Sequence, residues 1–285
     1  MSSAERSGQQ RSTGTFMVVV LVLAAAGIAL FTLFEREPTA DRQENPVAES
    51  EPTVEKPVVA TASKPGLSEE ARFVEARKEM LEDDLRGRDI TDARVLRAMS
   101  SVPRQLFVPE ELKHAAYADG PLPIGHGQTI SQPYIVALMT QLVDPKPESK
   151  ALDVGTGSGY QAAVLAELCE KVYGIEIVKP LADTAKQRLD ELGYENVTVR
   201  HGDGYGGWPE HAPFDVIIVA AAPDHVPQAL IDQLAPGGRL VIPVGRFYQE
   251  LIYIEKQTDG TVRRKSVAGV AFVPMTGKAE EGARK

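Results

Sequence analysis

The apolar positions of this chain fall into three regimes along its length. Residues 16–34 (FMVVVLVLAAAGIALFTLF) run 19 residues without a charge, close to the ~20 that a helix needs to cross a ~30 Å hydrocarbon core. The pattern predicts a transmembrane segment behind a short tail, residues 1–15. A cleaved signal peptide, with the small residues 24–27 as its cleavage region, is the competing reading. The apolar stretch 28–34 continues beyond that region and favours an uncleaved anchor. Over residues 35–66 the period disappears: five prolines, many acids and no aromatic residue leave too little apolar surface to offset the entropy of folding. This is read as a disordered, acidic, Pro-rich linker.

From residue 67 to 285 the pattern is that of a folded domain. Ser68, followed by Glu69 and Glu70, suits a helix N-cap with acids in the first turn, opening a helix through about Leu85 with Phe73, Met80 and Leu81 among its apolar positions. A second short helix is expected over 92–99. PLPIGHGQTISQP, residues 121–133, is read as loop because its glycines and prolines interrupt any period. From Lys150 apolar runs of four to six alternate with longer amphipathic stretches, which predicts strands alternating with helices. The strands are ALDV, VYGIE, VTVR, DVIIV and RLVIPV; helices fall near 159–168, 179–192 and 226–234; LIYIEKQ and SVAGVAFVP close the domain as antiparallel strands. The expected fold is a three-layer, doubly wound α/β domain, its sheet mostly parallel with antiparallel C-terminal strands, preceded by one transmembrane helix.

Composition narrows the chemistry. Of 285 residues, 43% are hydrophobic and 25% charged, which excludes collagen-like, coiled-coil and wholly disordered chains. A single cysteine, Cys169, can close no internal disulfide and supplies no thiolate-rich metal site; it reads as a small buried hydrophobe on a helix face. The five histidines (114, 126, 201, 211 and 225) show no i, i+4 pairing, so no metal is predicted. The net charge of -9 is uneven: residues 35–70 alone carry nine acids against four bases. With no basic stripe to release phosphate counterions, nucleic acid is not an expected partner.

Three motifs carry the candidate chemistry. ALDVGTGSGY is an apolar strand ending at Asp153, then glycines at 155, 157 and 159, then a helix. In doubly wound sheets ligands sit at the carboxyl ends of strands, where glycines remove obstructing Cβ atoms. A dinucleotide fingerprint would put its third glycine at 160, which is Tyr160, so NAD is disfavoured. Glu176 ends the next strand, 21 residues after Gly155, where an acid can accept both hydroxyls of a ribose. Asp203, between Gly202 and Gly204, stands where an adenine amino group could donate. Each has a plainer reading, respectively a glycine turn needed for geometry alone, a solvated strand cap and a simple turn; together they imply an adenosine ligand.

In this order the motifs resemble the methyltransferases dependent on S-adenosylmethionine. With IGHGQTISQP, VLRAM, VPRQLFVP, HGDG and VIPVG added, residues from about 70 to 277 resemble the protein-L-isoaspartate O-methyltransferases, the GQTISQP loop lying outside the generic cofactor fold. The resemblance implies a Rossmann-like fold and protein repair, by transfer of the methyl group of S-adenosylmethionine to the α-carboxylate of L-isoaspartyl residues in damaged proteins and peptides, the ester then collapsing to a succinimide. It implies Ser131 as the active-site residue; Gln128, Thr129 and Ile130 as cofactor contacts; Asp153, Gly155 and Gly157 for the methionine part of the cofactor; Glu176 for the ribose; Asp203 and Gly204 for the adenine side; and Thr276 near the cofactor. No metal is implied, and the catalytic domain is expected to be monomeric.

A carboxylate, with an ordinary pKa of about 4, is already ionised at neutral pH, so Ser131 would position the acceptor rather than deprotonate it. Tyr134 departs from the several relatives that carry His there. The anchor and linker are a second departure, which soluble members lack. Arg6 and Arg11 before the span balance Arg36 and Arg42 after it, so counting gives no orientation; the α-amino group tips towards an extracytoplasmic domain, whereas the supply of a cytoplasmic cofactor points the other way. Two rivals stay open: a methyltransferase for another carboxylate, and an exported module that binds damaged segments without catalysis.

Overall fold

The computed structural model describes residues 68–281; the tail, the expected span at 16–34 and the linker at 35–66 lie outside the described residues. Among the described residues no helix is long and apolar enough to cross a membrane. The domain opens where its capping residues place it: the Ser68 hydroxyl accepts the Ala71 N–H at 3.2 Å, and α1 (Glu69–Glu79) follows. It runs on as a π-helical stretch over Met80–Arg86, which buries Met80 and Leu85 where α1 buries nothing. Asp92 caps α2 (Ala93–Ser101), accepting the Arg94 N–H at 2.8 Å.

The segment expected to be loop is instead a β-hairpin. β1 (Leu122–Gly125) and β2 (Gln128–Ile130) pair antiparallel, with Leu122 opposite Ile130. Between them His126 and Gly127 both hold positive φ, 53° and 71°, the conformation of a two-residue turn whose twist matches that of the strands. The glycines that interrupt the sequence period are thus the turn itself. Directly behind comes a helix the sequence pattern does not predict, α3 (Pro133–Val143), with Pro133 in its first turn. Proline there loses no hydrogen bond, since that N–H has no intrahelical partner anyway. Its C-cap, Asp144, accepts from Arg94, Arg239 and Lys146 at 2.6–2.7 Å and joins α2, α3 and the sheet.

The sheet is formed by β3 (Lys150–Val154), β4 (Lys171–Glu176), β5 (Val197–His201), β6 (Phe214–Val219), β7 (Leu234–Val244), β8 (Gln249–Lys256) and β9 (Val262–Val270). Its spatial order is β5-β4-β3-β6-β7-β8-β9; the first five of these are parallel and the last two antiparallel. The chain winds outward from β3 to β5 and returns to β6 on β3's other side. That reversal opens a crevice at the carboxyl ends of β3 and β6, where doubly wound folds bind ligands.

Strand alternation divides the core: Val216 and Ile218 of β6 join one apolar cluster, Ile217 and Val219 the other. α2, α3 and α4 (Tyr160–Ala166) cover the first face, with Leu189 of α5 (Lys179–Glu191) packed in; α6 (Gln228–Asp232) and α7 (Lys278–Glu281) cover the second. Cys169 is buried as expected, but in the turn after α4 rather than on a helix face, and burial pushes its thiol up to about 12. One short basic run does exist, Arg263, Arg264 and Lys265 on the outer strand; pairing opposite Glu255, Ile254 and Tyr253 sends alternate side chains to opposite faces, so it forms no stripe.

Candidate active site

The glycine turn follows β3 directly. Gly155, Gly157 and Gly159 hold φ of 82°, 55° and 93°, a region L side chains rarely enter. The turn is tied to the neighbouring strand, with the N–H groups of Gly155 and Thr156 both donating to the Ile175 carbonyl (2.8 and 3.1 Å). A Cβ on Gly157 would meet Ile124 Cδ1 of the hairpin at 3.2 Å, so β1 packs against the turn. Glu176, at the end of β4, holds it from the side: Oε2 accepts the Gly157 N–H and Oε1 the Val178 N–H, each at 2.8 Å.

One strand further out, Asp203 Oδ1 accepts the Tyr205 N–H and Oδ2 the Lys278 N–H, both at 2.9 Å. The second bond seats the C-terminal segment over the site. Gly277 allows it: a Cβ there would stand 2.8 Å from both Asp203 Oδ2 and Ile177 Cδ1. Met275 N–H donating to Ala222 O (2.8 Å) and Ala222 N–H to Val273 O (2.9 Å) fix the same segment against the loop after β6.

These elements enclose a cleft of about 550 Å³, counting its open mouth. Of the residues singled out from sequence, Gln128, Thr129, Gly155, Gly157, Glu176, Asp203, Gly204 and Thr276 line it. Ile130, Ser131 and Asp153 do not. Ile130 is buried in the first core cluster. Ser131 is half-buried just past β2, its carbonyl accepting from Arg104 Nη2 at 2.8 Å. Asp153 is wholly buried, with neither carboxylate oxygen within ordinary hydrogen-bond geometry of a partner; burial, opposed by the adjacent Thr156 hydroxyl and assisted by the Glu176 charge, pushes its pKa up to about 7. The Thr156 hydroxyl donates to Asp153's backbone carbonyl at 3.2 Å.

The lining also includes residues that sequence reasoning missed. Ala220 and Ala221 follow β6 directly, and the rule that ligands sit at strand carboxyl ends would have found them. Residues 273–275 carry no local signal, being brought in by long-range pairing. Tyr134, singled out as a departure from the family pattern, turns away from the cleft: its hydroxyl donates to Asp89 Oδ1 at 2.8 Å, and Arg88 lies 4.5 Å over its ring.

The donor set discriminates among ligands. Glu176 and Asp203 each use one lone pair per oxygen on a backbone N–H, leaving others to accept hydroxyl or amino donors. The lining contains these two acids and no Lys or Arg, which suits an adenosine group carrying a cation and disfavours one carrying phosphates. S-adenosylmethionine, with its sulfonium, fits that requirement.

Residues 75–280 match the family model described as protein-L-isoaspartate(D-aspartate) O-methyltransferase. The chain is 47% identical, over 275 residues, to the protein-L-isoaspartate O-methyltransferase 2 of Syntrophobacter fumaroxidans, covering 94% of this chain and 98% of that one. It is 58% identical to the enzyme of that name from a Polaromonas species, over 67% of this chain and 92% of the relative. Among solved structures, the Plasmodium falciparum beta-aspartate methyltransferase in complex with S-adenosyl-L-homocysteine superposes with a TM-score of 0.62 at 31% identity, covering 70% of this chain and 98% of that one.

Proposed function

The chain belongs to the protein-L-isoaspartate O-methyltransferase family and methylates isoaspartyl residues of proteins with S-adenosylmethionine, and on that premise we propose that Ser131 orients the acceptor carboxylate at the mouth of the cleft. The observation that carries this reading is the hairpin. Gln128 and Thr129 of β2 line the same cleft as Gly155, Glu176 and Asp203, so the strand leading to Ser131 forms one of its walls. In this reading Glu176 accepts from the ribose hydroxyls, Asp203 and Gly204 meet the adenine side, Thr276 closes over the cofactor, and Gly155 and Gly157 let its methionine part approach the backbone. Asp153 acts from beneath the turn and Ile130 through packing.

S-adenosylmethionine supplies an electrophilic methyl group and a neutral thioether as leaving group. The protein has then to hold the acceptor carboxylate in line and shed its water; orientation of this kind can supply roughly 7–11 kcal/mol. No residue has to take a proton. Ser131→Ala is expected to lower transfer to an isoaspartyl peptide about 30-fold, the range of one hydrogen bond to a charged group, with cofactor affinity unchanged. Transfer of labelled methyl to an isoaspartyl peptide and its aspartyl twin measures this; an undiminished rate would remove Ser131 from the site.

We also propose that the domain is tethered to a membrane through residues 16–34, with the supply of cofactor favouring the cytoplasmic face. The uncharged 19-residue run supports it, as does the Syntrophobacter match, whose 94% coverage extends well upstream of residue 67. The full chain should sediment with membranes and resist protease added to intact cells. Recovery in a soluble extracytoplasmic fraction would overturn both statements.

A further inference from the structure

Arg104 is the largest wholly buried side chain among the described residues, with 0% of its surface exposed, and the reaction as read above does not use it. It lies just after α2, in a 3₁₀ turn over Arg104–Phe107. Nε donates to the Ala116 carbonyl at 2.7 Å and Nη2 to the Ser131 carbonyl at 2.8 Å, whereas Nη1 is buried without a hydrogen-bond partner. The guanidinium carbon stands 4.7 Å over the ring of Tyr160, the first residue of α4 behind the glycine turn.

A cation taken wholly out of water, with one donor unsatisfied, is a poor device for stability, since an apolar side chain of similar volume often serves as well or better. Burial accordingly lowers the Arg104 pKa. What an apolar residue cannot do is fix two backbone carbonyls at a set angle, which the planar guanidinium does. One of these carbonyls belongs to Ser131, and the face of the same guanidinium rests on the residue that opens the cofactor helix. Arg188 of α5 also reaches the glycine turn, Nη1 donating to the Ser158 carbonyl at 2.7 Å.

We propose that Arg104 is a positioning residue for methyl transfer: its guanidinium holds the backbone of Ser131 in register with the glycine turn, so that the serine hydroxyl meets the acceptor carboxylate in line with the cofactor. This rests on the assignment of Ser131 above. Arg104 lies outside the cleft lining, so its loss acts on the acceptor side and leaves cofactor binding alone.

The test is a double-mutant cycle in the full-length chain, Arg104→Met against Ser131→Ala, with Arg104→Lys alongside. Kinetics with an isoaspartyl peptide and cofactor affinity by calorimetry are read for each. Arg104→Met is expected to lower kcat/KM about 20-fold, the effect of one lost charged hydrogen bond, with cofactor Kd within about twofold. In the Ser131→Ala background the same change should cost less than about twofold, because residues acting as a unit are not additive. Arg104→Lys keeps the charge but cannot bridge both carbonyls, and should fall between.

An equal loss in both backgrounds would make Arg104 merely structural and overturn the proposal, as would an undiminished rate in Arg104→Met. Should Arg104→Met fail to fold, Arg104→Lys decides alone: slowed transfer with intact cofactor affinity supports the proposal, and wild-type transfer overturns it. A Ser131→Ala enzyme of full activity would instead sink the serine assignment and this proposal with it, an outcome distinct from loss in Ser131→Ala but none in Arg104→Met.

Discussion

Glu176→Gln is expected to weaken S-adenosylmethionine binding roughly 100-fold, about the upper end of what one hydrogen bond to a charged group supplies. The carboxylate is nearly buried, and each oxygen already accepts a backbone N–H at 2.8 Å, from Gly157 on one side and Val178 on the other. A carboxamide has one oxygen and one NH₂, so either orientation sets a donor against a donor. If the NH₂ faces Gly157, the glycine turn loses its lateral hold; if it faces Val178, the start of α5 does. Either way one of the two acceptors proposed for the ribose hydroxyls is gone. Calorimetry with S-adenosylhomocysteine, which keeps the ribose but has a neutral thioether in place of the sulfonium, separates ribose contact from attraction of the sulfonium. Equal losses for both ligands place the effect at the ribose. An unchanged Kd in a folded variant would leave Glu176 as a brace for the turn and nothing more.

How far the sequence could be read depends on the distance over which each feature is determined. Ser68 and the acids beside it announce a helix start because a cap acts within three residues, and the structure places that cap where Ser68 stands, while Asp92, expected as the first residue of the second helix, proves to be its cap. The glycine turn and its two acids are legible because a parallel sheet delivers the carboxyl ends of adjacent strands to one edge, so Gly155, Glu176 and Asp203 converge without any local signal that they touch. The hairpin escaped because its defining feature, positive φ at both His126 and Gly127, looks in sequence like loop composition. α3 escaped because Pro133 reads as a breaker when it is in fact an opener. The C-terminal wall of the cleft depends on Met275 pairing with Ala222 and Lys278 with Asp203, contacts across more than fifty residues. Nothing in VPRQLFVP marks Arg104, because an isolated arginine in a sequence gives no hint that it will be wholly buried.

Asp153→Asn is expected to stabilise the protein at pH 8, by about 2 kcal/mol net. The folded carboxyl titrates near 7, against 3.8 for the free group. Below pH 4 both states are protonated and the group contributes nothing. Between about pH 4 and 7 the unfolded chain releases a proton that the folded chain keeps, so stability falls as pH rises, and above 7 the loss is constant. At 1.36 kcal/mol per unit the ionised carboxylate costs the folded state up to about 4 kcal/mol. Asparagine never ionises and escapes that penalty, but it buries an amide with no partner in sight, which takes back about 1–3 kcal/mol. Denaturant unfolding across pH 4–8 should therefore show a declining wild type and a flatter variant, the curves crossing where the two effects balance. Wild-type stability that stayed level over this range would mean that Asp153 is ionised and well solvated or paired when folded. The same variant tests the residue's place in the site. Because Asp153 lies beneath the glycine turn and lines no part of the cleft, its neutral isostere should change cofactor affinity far less than Glu176→Gln does. A loss as large as that of Glu176→Gln would return Asp153 to direct contact with the cofactor.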